Sequence, residues 1–534
     1  MFILLGLLAL FIVGCSDSTS TNKDGDAPGT KKEDDTTAST DDKSGASDFT
    51  GGELRVALNT QPPTLDVHTG TATATRDATR PIFETLVTLN SNYEVQPLLA
   101  ERYEQSDDGL EITFYLRQGV KFHNDKEMKA DDVVASLERW IGKSGRAKNT
   151  IGDGKFEIID DYTVKLTLTE PSVGVLHVLG APTQAGGIMP KEVVDNAPEE
   201  GINEYIGTGP FKFVEWKQDQ YIHYERFEDY QSVEGAADGL AGKREALVDD
   251  LYYDIIVDSS TRTAGVTTEQ YDIGIAMPQE NFQQLESTKN VTNEVALSAG
   301  VSIIFNERQG LFKDPAMRLA LNTALDYEEM LLAGFTSQEF YRLSPGIMFP
   351  EQADWHTNAG EESYNQNNPE KASNMFKEAG YNGEEFKILT TRDYDYNYNT
   401  AIVLQAQLEK IGVKSKLEVV DWATLLDTRN DPAKWDALIS SFSTVTDPTQ
   451  HLIYDPKYAG WNEDAKTAEL VEKIRTSRTP EDAFPYWEEL QEHTWTTHLP
   501  YVRVGDFYSL YTYTDNVVGF TQFEGIIPWN VGKN

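Results

Sequence analysis

The chain has 534 residues, which is more than one hydrophobic core usually holds, so we expect two or three lobes. It carries 87 acidic against 46 basic residues, a formal net charge of −41. Such a surface repels nucleic acid and disfavours broad contact with anionic lipid. With a single cysteine no disulfide forms within the chain, and a folded body of this size does not need one.

The first residues form an apolar segment that stops at this cysteine. Residues 1–13 are apolar apart from Gly6, and Gly14 precedes Cys15. Thirteen helical residues reach roughly 20 Å, short of a bilayer core of roughly 30 Å. The segment resembles a bacterial lipobox, so we expect a signal peptide over 1–14 and lipid attachment at Cys15. A short buried helix ending at an ordinary cysteine is the alternative. No Lys or Arg precedes the apolar run, and a start codon further upstream would account for that.

Residues 15–50 have the composition of a linker. They are mostly Ser, Thr, Asp, Lys and Gly, and too few of them are apolar to offset the entropy of an ordered chain. We expect a disordered tether that lifts a folded body off a membrane surface. An ordinary disordered tail is the alternative, and the cysteine in front favours the tether.

Strands and helices alternate in the folded body. Residues 53–58 and 110–117 alternate as strands, and Asp131 and Asp132 open a helix at the end where acidic residues are favourable. Similar alternation predicts a pair of strands at 211–216 and 221–225. Apolar residues at helical spacing predict a helix at 401–410, which a strand at 413–420 follows. Two surface helices are predicted at 465–475 and 487–495. This interleaving predicts a mixed α/β class.

A series of short motifs resembles the peptide-type solute-binding proteins of ABC importers. The motifs keep the family order along the chain, at residues 52–57, 62–66, 97–101, 116–123, 129–133, 206–213, 305–306, 318–326, 368–372, 378–381 and 408–413. One stretch departs from the pattern. Where the family has Leu-x-x-Gly-Glu-x-Asp, residues 265–273 carry Glu269 or Gln270 in the place of the glycine, so the turn there is expected to be built differently.

The resemblance implies a periplasmic-binding-protein-like α/β fold. Two hinged lobes with mixed sheets would close on a ligand, and a smaller domain would be inserted in the N-terminal lobe. The implied boundaries are 51–92 with 205–292 and 505–534 for lobe I, 93–204 for the inserted domain II, and 293–504 for lobe III.

Two charged residues fall where the resemblance places contacts to the ends of a peptide. Asp447 corresponds to the aspartate that meets the ligand's amino group, and Pro448 holds it in an extended conformation that aims the carboxylate outward. Arg392 falls near the arginine that meets a carboxylate, which a guanidinium grips with two parallel hydrogen bonds. The alternatives are a turn or cap role for Asp447, and pairing of Arg392 with Asp393 or Asp395.

Three further residues are candidates for ligand contact. Tyr394, together with Tyr396 and Tyr398, alternates on one side of a possible strand and is a candidate for lining a pocket. The alternative is that the three tyrosines form a half-buried face of a sheet. Trp422 is a candidate for stacking on the ligand, with core packing as its alternative. Asn306 lies in a motif that resembles a strand crossing between lobes.

The expected function is binding without catalysis. The resemblance implies short peptides as ligands, a transmembrane ABC permease as partner, a monomer, no cofactor and no metal, at the outer face of a Gram-positive-type membrane. The chain lacks Gly-x-Ser-x-Gly and His-Glu-x-x-His motifs, and His493 and His498 are spaced wrongly for one helix face. Other solutes of the family (a nickel chelate, haem, glutathione or an oligosaccharide), a peptide-sensing receptor and an exported hydrolase remain open.

Overall fold

The computed structural model describes residues 51–534, and all structural statements below concern these residues. The predicted signal peptide, the lipid attachment at Cys15 and the tether lie outside this range. No helix within the range combines the length and the apolar character that crossing a bilayer requires.

The described chain contains nineteen strands. They are β1 (Glu53–Leu58), β2 (Val87–Leu89), β3 (Val95–Pro97), β4 (Ala100–Gln105), β5 (Glu111–Leu116), β6 (Lys155–Asp160), β7 (Thr163–Thr167), β8 (Phe211–Lys217), β9 (Tyr221–Arg226), β10 (Asp250–Ile255), β11 (Ile273–Met277), β12 (Val291–Phe305), β13 (Tyr341–Arg342), β14 (Glu385–Thr391), β15 (Lys414–Val420), β16 (Ala437–Ser443), β17 (Tyr501–Thr514), β18 (Val517–Val518) and β19 (Gly532–Lys533).

Fourteen α-helices accompany them within residues 51–534. They are α1 (Thr73–Thr79), α2 (Ala130–Lys143), α3 (Gly145–Ile151), α4 (Val175–Gly180), α5 (Lys191–Asp195), α6 (Ser259–Thr267), α7 (Phe282–Glu286), α8 (Pro315–Ala324), α9 (Tyr327–Phe335), α10 (Pro369–Glu378), α11 (Asp395–Lys410), α12 (Trp422–Thr428), α13 (Ala465–Arg475) and α14 (Pro480–His493).

One mixed sheet of eleven strands organises the fold. Its order is β15-β14-β16-β12-β17-β11-β1-β10-β9-β8, and β13 also pairs with β17. The neighbours β1/β10, β1/β11, β14/β15 and β14/β16 are parallel, whereas β12 pairs antiparallel with both β16 and β17. The mixed α/β class predicted from the sequence is confirmed.

The two longest strands join the halves of this sheet. β12 and β17 pair from Val291 opposite Thr514 to Ile304 opposite Tyr501, with two register shifts between. Successive β12 residues enter opposite cores: Ile303 packs in the cluster that contains Leu404, and Ile304 packs in the cluster that contains Trp435. Because both faces are covered at this end, the last seven residues of β12 are buried without alternation.

A smaller sheet, β4-β5-β7-β6, has its own core. Ile112, Phe114 and Leu116 of β5 are buried at every second position, as the sequence pattern predicts. α2 covers this sheet's core with Leu137 and Trp140. At its N-terminus the side chain of Asp132 accepts a hydrogen bond from the backbone N–H of Lys129, which satisfies a free end of the helix.

Several predicted elements have the predicted bounds to within a few residues. β8 and β9 pair antiparallel, and α13 occupies 465–475. α11 ends at Lys410, with Gly412 at a φ of 79° before β15 begins. In this turn glycine supplies the left-handed conformation that a helix end requires.

The predicted strand face of three tyrosines is wrong. β14 ends at Thr391, and Tyr396 and Tyr398 lie in the first turns of α11. A five-residue alternation is a weak signal, and it gives way to the helical spacing of the buried residues Ala401, Leu404 and Leu408.

The end of α14 also differs from the expected surface helix. Trp487 and Trp495 are buried, and residues Thr494–His498 form a π-turn. The wider turn places the rings of His493 and His498 in a parallel stack with centroids 6.0 Å apart, although a regular helix would separate them.

Glu269 takes the place of the glycine at residues 265–273, where the sequence departs from the family's Leu-x-x-Gly-Glu-x-Asp motif. It follows α6 with a φ of 60°, and the next backbone N–H, of Gln270, donates to the carbonyl of Gly265 at 2.8 Å. The turn is therefore a left-handed helix end in which an L-residue with a side chain occupies a strained conformation.

Replacing this residue tests the strain. We expect Glu269→Gly to raise the free energy of unfolding by about 0.5–1 kcal/mol, because glycine adopts positive φ without the Cβ clash. Glu269→Ala is the matched control and should give no such gain, since it keeps the Cβ. Urea-unfolding curves measure both; equal stability of the glycine and alanine variants would contradict the strain.

Candidate functional site

A cavity of about 740 Å³ lies between two distant parts of the chain. One wall comes from α3 and from Ser172, which precedes α4. The other wall comes from the end of β16, the loop 444–458 that follows it, the start of α12 and the end of α13. We call this cavity the cleft. Its volume is in the range of sites for small ligands.

Asp447 is buried beside the cleft at a turn of the loop. Its backbone is extended, with φ −148° and ψ 158°, as the following proline predicts. The carboxylate accepts hydrogen bonds from the backbone N–H of Thr449 at 2.9 Å and from the side chains of Thr449 and Gln450, so it also caps a short 3-10 turn. Both Thr449 and Gln450 line the cleft.

The carboxylate of Asp447 lies against the opposite wall. A Cβ placed on Gly174, just before α4, would lie 2.6 Å from Oδ2 of Asp447. The aspartate therefore reaches across to the other wall, and only a residue without a side chain leaves it room. Within residues 51–534 no cation lies within the 4.0 Å of an ion pair with it.

Arg146 faces this carboxylate from α3. Burial lowers the pKa of Arg146 from its ordinary value, and the charges of Asp447 and Glu524 act in the opposite direction. In the described part of the chain its guanidinium makes no hydrogen bond and no ion pair. This half-buried guanidinium without a protein partner leaves its donors open to a ligand.

Polar contacts join the two walls outside the cleft. Nη1 of Arg475 lies 2.7 Å from Oε1 of Glu170, and the backbone N–H of Val173 donates to the carbonyl of Arg475 at 3.2 Å. Nη1 of Arg478 donates to the carbonyl of Asp107 at 2.9 Å. The side chain of Val173 packs into the core of the opposite wall. The two walls are therefore in direct contact, and the cleft is closed on this side.

Aromatic side chains line the second wall. Trp422 lines the cleft and stacks edge-on against Tyr394, with ring centroids 5.0 Å apart. Deeper in the wall, the ring of His451 lies 4.6 Å from that of Phe442 and 5.3 Å from that of Tyr501. Of the two predicted residues, Trp422 thus lies in the cleft lining, and Tyr394 contacts it without being part of that lining.

His451 has an unused donor in this wall. The side chain is 3% exposed, and burial lowers its pKa to about 3, so the ring is neutral. Nδ1 accepts from the backbone N–H of Ile453, which puts the hydrogen on Nε2. Nε2 has no acceptor within residues 51–534. In the lining, buried Oγ of Ser172 and Nε of Arg429 likewise have no hydrogen-bond partner in this range, and Oε1 of Gln450 accepts from no donor. A ligand in the cleft would satisfy these buried polar atoms.

Arg392 lies outside this lining. It is exposed and pairs with neither Asp393 nor Asp395; instead Nη2 donates to the hydroxyl of Tyr398 at 2.6 Å, and the guanidinium stacks 4.3 Å from that ring. Asp393 accepts from the backbone N–H of Trp422. The structure does not bring Arg392 together with Asp447 in the cleft.

The side chain of Asn306 stabilises the chain at the end of β12. Its amide donates to the carbonyls of Pro432 and Trp435, both at 2.7 Å, and its oxygen accepts from two following backbone N–H groups, of Arg308 and Gln309. The side chain is fully buried. All of its hydrogen-bonding capacity is used to end β12, so it is not part of the cleft lining.

Sequence reasoning missed Arg146, Arg429 and His451. Asp447 and Arg146 are about 300 residues apart in the chain, and nothing local marks either arginine. The orphaned donor of His451 depends on the burial of its neighbours, which the sequence does not display.

Another cavity, of about 790 Å³, shares no lining residue with the cleft. It lies between the β3–β5 region and the loop 231–242, where Nη2 of Arg117 donates to the carbonyls of Gln231 and Ser232. None of the residues predicted as ligand contacts lies there. Within residues 51–534 no three His, Cys, Asp or Glu side chains are grouped so that they hold a metal ion.

The chain belongs to the bacterial extracellular solute-binding proteins, family 5. The profile of this family, described as "Bacterial extracellular solute-binding proteins, family 5 Middle", matches residues 94–463, well over half of the chain. The resemblance predicted from the motifs is confirmed.

Related proteins span most of the chain. A Sinorhizobium fredii protein named "Probable peptide ABC transporter periplasmic-binding protein y4tO" is 27% identical over 478 residues, 85% of this chain and 88% of the relative. The oligopeptide-binding protein AppA of Bacillus subtilis is 29% identical over 485 residues, 85% of this chain and 82% of AppA.

Solved structures share the fold. AppA in complex with a nonapeptide superposes with a TM-score of 0.71 at 25% identity, covering 89% of this chain and 97% of AppA. AgaA of A. tumefaciens in complex with agropinic acid superposes with a TM-score of 0.73 at 26% identity, covering 90% of this chain and 99% of AgaA. The predicted periplasmic-binding-protein-like fold is confirmed.

The low pKa of buried His451 predicts that the stability of the protein depends on pH. Its folded pKa of about 3 lies below the unfolded value of about 6.5, so between these values only the unfolded chain binds the proton. Stability is therefore lost as pH falls from 6.5 towards 3, by up to about 1.4 kcal/mol per pH unit. His451→Asn should reduce this slope.

Urea-unfolding free energies at pH 6.5, 5.5 and 4.5 measure the effect. Tyr454→Phe is the matched control, because it alters the same buried cluster without changing a group that titrates in this range. A wild-type minus His451→Asn difference that is equal at all three pH values would contradict the assignment.

Proposed function

We propose that the protein captures short peptides in the cleft and delivers them to an ABC transporter permease. The observation that carries this proposal is a pair of opposite charges that form no ion pair: the carboxylate of Asp447, buried beside the cleft, and the half-buried guanidinium of Arg146 in the cleft lining. Buried charges are costly unless they are paired, so each calls for a partner of opposite sign. A peptide zwitterion offers an ammonium for Asp447 and a carboxylate for Arg146.

The charge pairs alone do not account for useful affinity. Micromolar binding needs about 8 kcal/mol, and a hydrogen bond to a charged group supplies roughly 1.5–3 kcal/mol. Burial of ligand side chains against Trp422 and Tyr394, together with hydrogen bonds to the orphaned donors of the wall, supplies the remainder. Arg392 and Asn306 have no part in this arrangement.

Capture would proceed by closure of the two walls. We assign the walls to separate bodies, domain II over 93–204 and lobe III over 293–504, with lobe I over 51–92, 205–292 and 505–534. The crossing strands β12 and β17 are the natural hinge, because they connect both halves of the large sheet. The contacts of Arg475 and Arg478 with the opposite wall hold the closed form.

The remaining features fit a surface receptor. A lipid on Cys15 and a tether up to residue 50 would hold a monomeric binding body close to its permease, at the outer face of a Gram-positive-type membrane. The relatives y4tO and AppA, by their names, serve peptides.

A small acidic solute is the second candidate. AgaA, a relative of similar overall fold, is solved in complex with agropinic acid. Arg146 would hold its carboxylate equally well, whereas Asp447 favours a ligand that also carries an amine.

Two variants test the peptide proposal. Asp447→Asn should weaken binding of a tripeptide pool about tenfold or more, because the ammonium loses its charged partner. Gly174→Ala should weaken it as well, because the added methyl group displaces the carboxylate of Asp447 from its place between the walls. Isothermal titration calorimetry measures both affinities.

Thermal melting without ligand is the control for both variants. A loss of affinity without a matching loss of stability in Gly174→Ala supports the site, since this variant keeps every polar group. Wild-type affinity in both variants, or no binding of any di- to pentapeptide to the wild-type protein, would overturn the proposal.

A further inference from the structure

The lining of the cleft is opposite in charge to the chain as a whole. Among the described residues, four basic side chains line it, those of Arg146, Arg429, Lys457 and Arg475, against the carboxylate of Asp455 in the lining and that of Asp447 beside it. The chain carries a net charge of −41. A cleft lined by one sign of charge concentrates ligands of the opposite sign. The cleft is therefore suited to an anionic ligand.

Arg429 is the second unpaired guanidinium of this lining. It follows α12, and its guanidinium lies over the ring of Tyr458, 5.3 Å from the centroid, with Nη1 donating to the hydroxyl at 3.3 Å. Its Nε is buried without an acceptor within residues 51–534. By contrast, Arg475 is satisfied by Glu170 and Glu472, both at 2.7 Å.

A peptide has one terminal carboxylate, and the proposed function assigns this group to Arg146. The unused donors of Arg429 then require another anionic group. We infer that the cleft selects short peptides that carry an acidic side chain, whose carboxylate binds Arg429. This inference rests on the proposed function. The aromatic ring behind the guanidinium fixes its plane, and a carboxylate offers two oxygens that match the planar donor set.

Paired peptides test this selectivity. Calorimetry is carried out with Glu-Ala-Ala, Ala-Glu-Ala and Ala-Ala-Glu and with the three counterparts in which glutamine replaces glutamate. For at least one position we expect the glutamate peptide to bind the wild-type protein about tenfold or more tightly. In Arg429→Gln this ratio should fall towards one, and in Arg429→Lys part of it should remain because the charge is kept.

Arg475→Gln is the matched control. This arginine also lines the cleft, but its guanidinium is satisfied by the protein, so the ratio of glutamate to glutamine affinity should stay at the wild-type value even if both affinities fall. Melting curves confirm that the Arg429 variants fold.

Three results would overturn the inference. Equal affinities of the glutamate and glutamine peptides in the wild-type protein leave peptide binding intact and remove the acidic preference. A wild-type ratio that survives in Arg429→Gln removes Arg429 as its cause. Absence of binding by every peptide, neutral and acidic alike, overturns the proposed function, and the inference fails with it.

Discussion

Two opposite charges at one cleft that form no ion pair, the buried Asp447 and the half-buried Arg146, are the constraint on which the rest of the site depends. The carboxylate of Asp447 is 1% exposed and is held by its own turn, and Arg146 approaches from the other wall. Bringing each charge out of water costs several kcal/mol unless a partner compensates it. The space between them, the contact between the walls and the unused donors around them all make sense if a charged ligand completes the arrangement.

The fold explains how this constraint is met. Asp447 is fixed because β16, a central strand buried between β12 and β14, ends just before its loop. Arg146 is fixed because Ser144 ends α2 and caps α3, which begins at the next residue. Neither wall can supply both charges, so the site exists only when the two are brought together. In the proposed function, this requirement is the physical reason for binding by closure.

The sequence predicted the scaffold better than the site. Strands with clear alternation such as β5, and helices with a glycine end such as α11, were predictable because local burial follows local periodicity. The extended backbone of Asp447 was predictable because Pro448 dictates it. The positions of Tyr394 and Tyr398 at the start of α11 were not predictable, since so short an alternation is compatible with a strand or a helix. The proposed role of Arg146 was not predictable either, because it depends on a carboxylate about 300 residues away in the chain.

The charge of the molecule acts at two ranges. At physiological salt, fields are screened over about 8 Å, so the acidic surface mainly keeps the protein soluble and free of nucleic acid. Inside the cleft, where less water screens the charges, Arg146 and Arg429 would act on a ligand directly in the proposed arrangement. An acidic protein can thus bind an acidic ligand.

The most direct test of the central claim is a crystal structure with the tightest-binding peptide. We expect the peptide to be enclosed in the cleft, with its ammonium at Asp447 and a carboxylate at Arg146. A peptide found in the cavity beside the loop 231–242, or one in the cleft that touches neither charge, would contradict it.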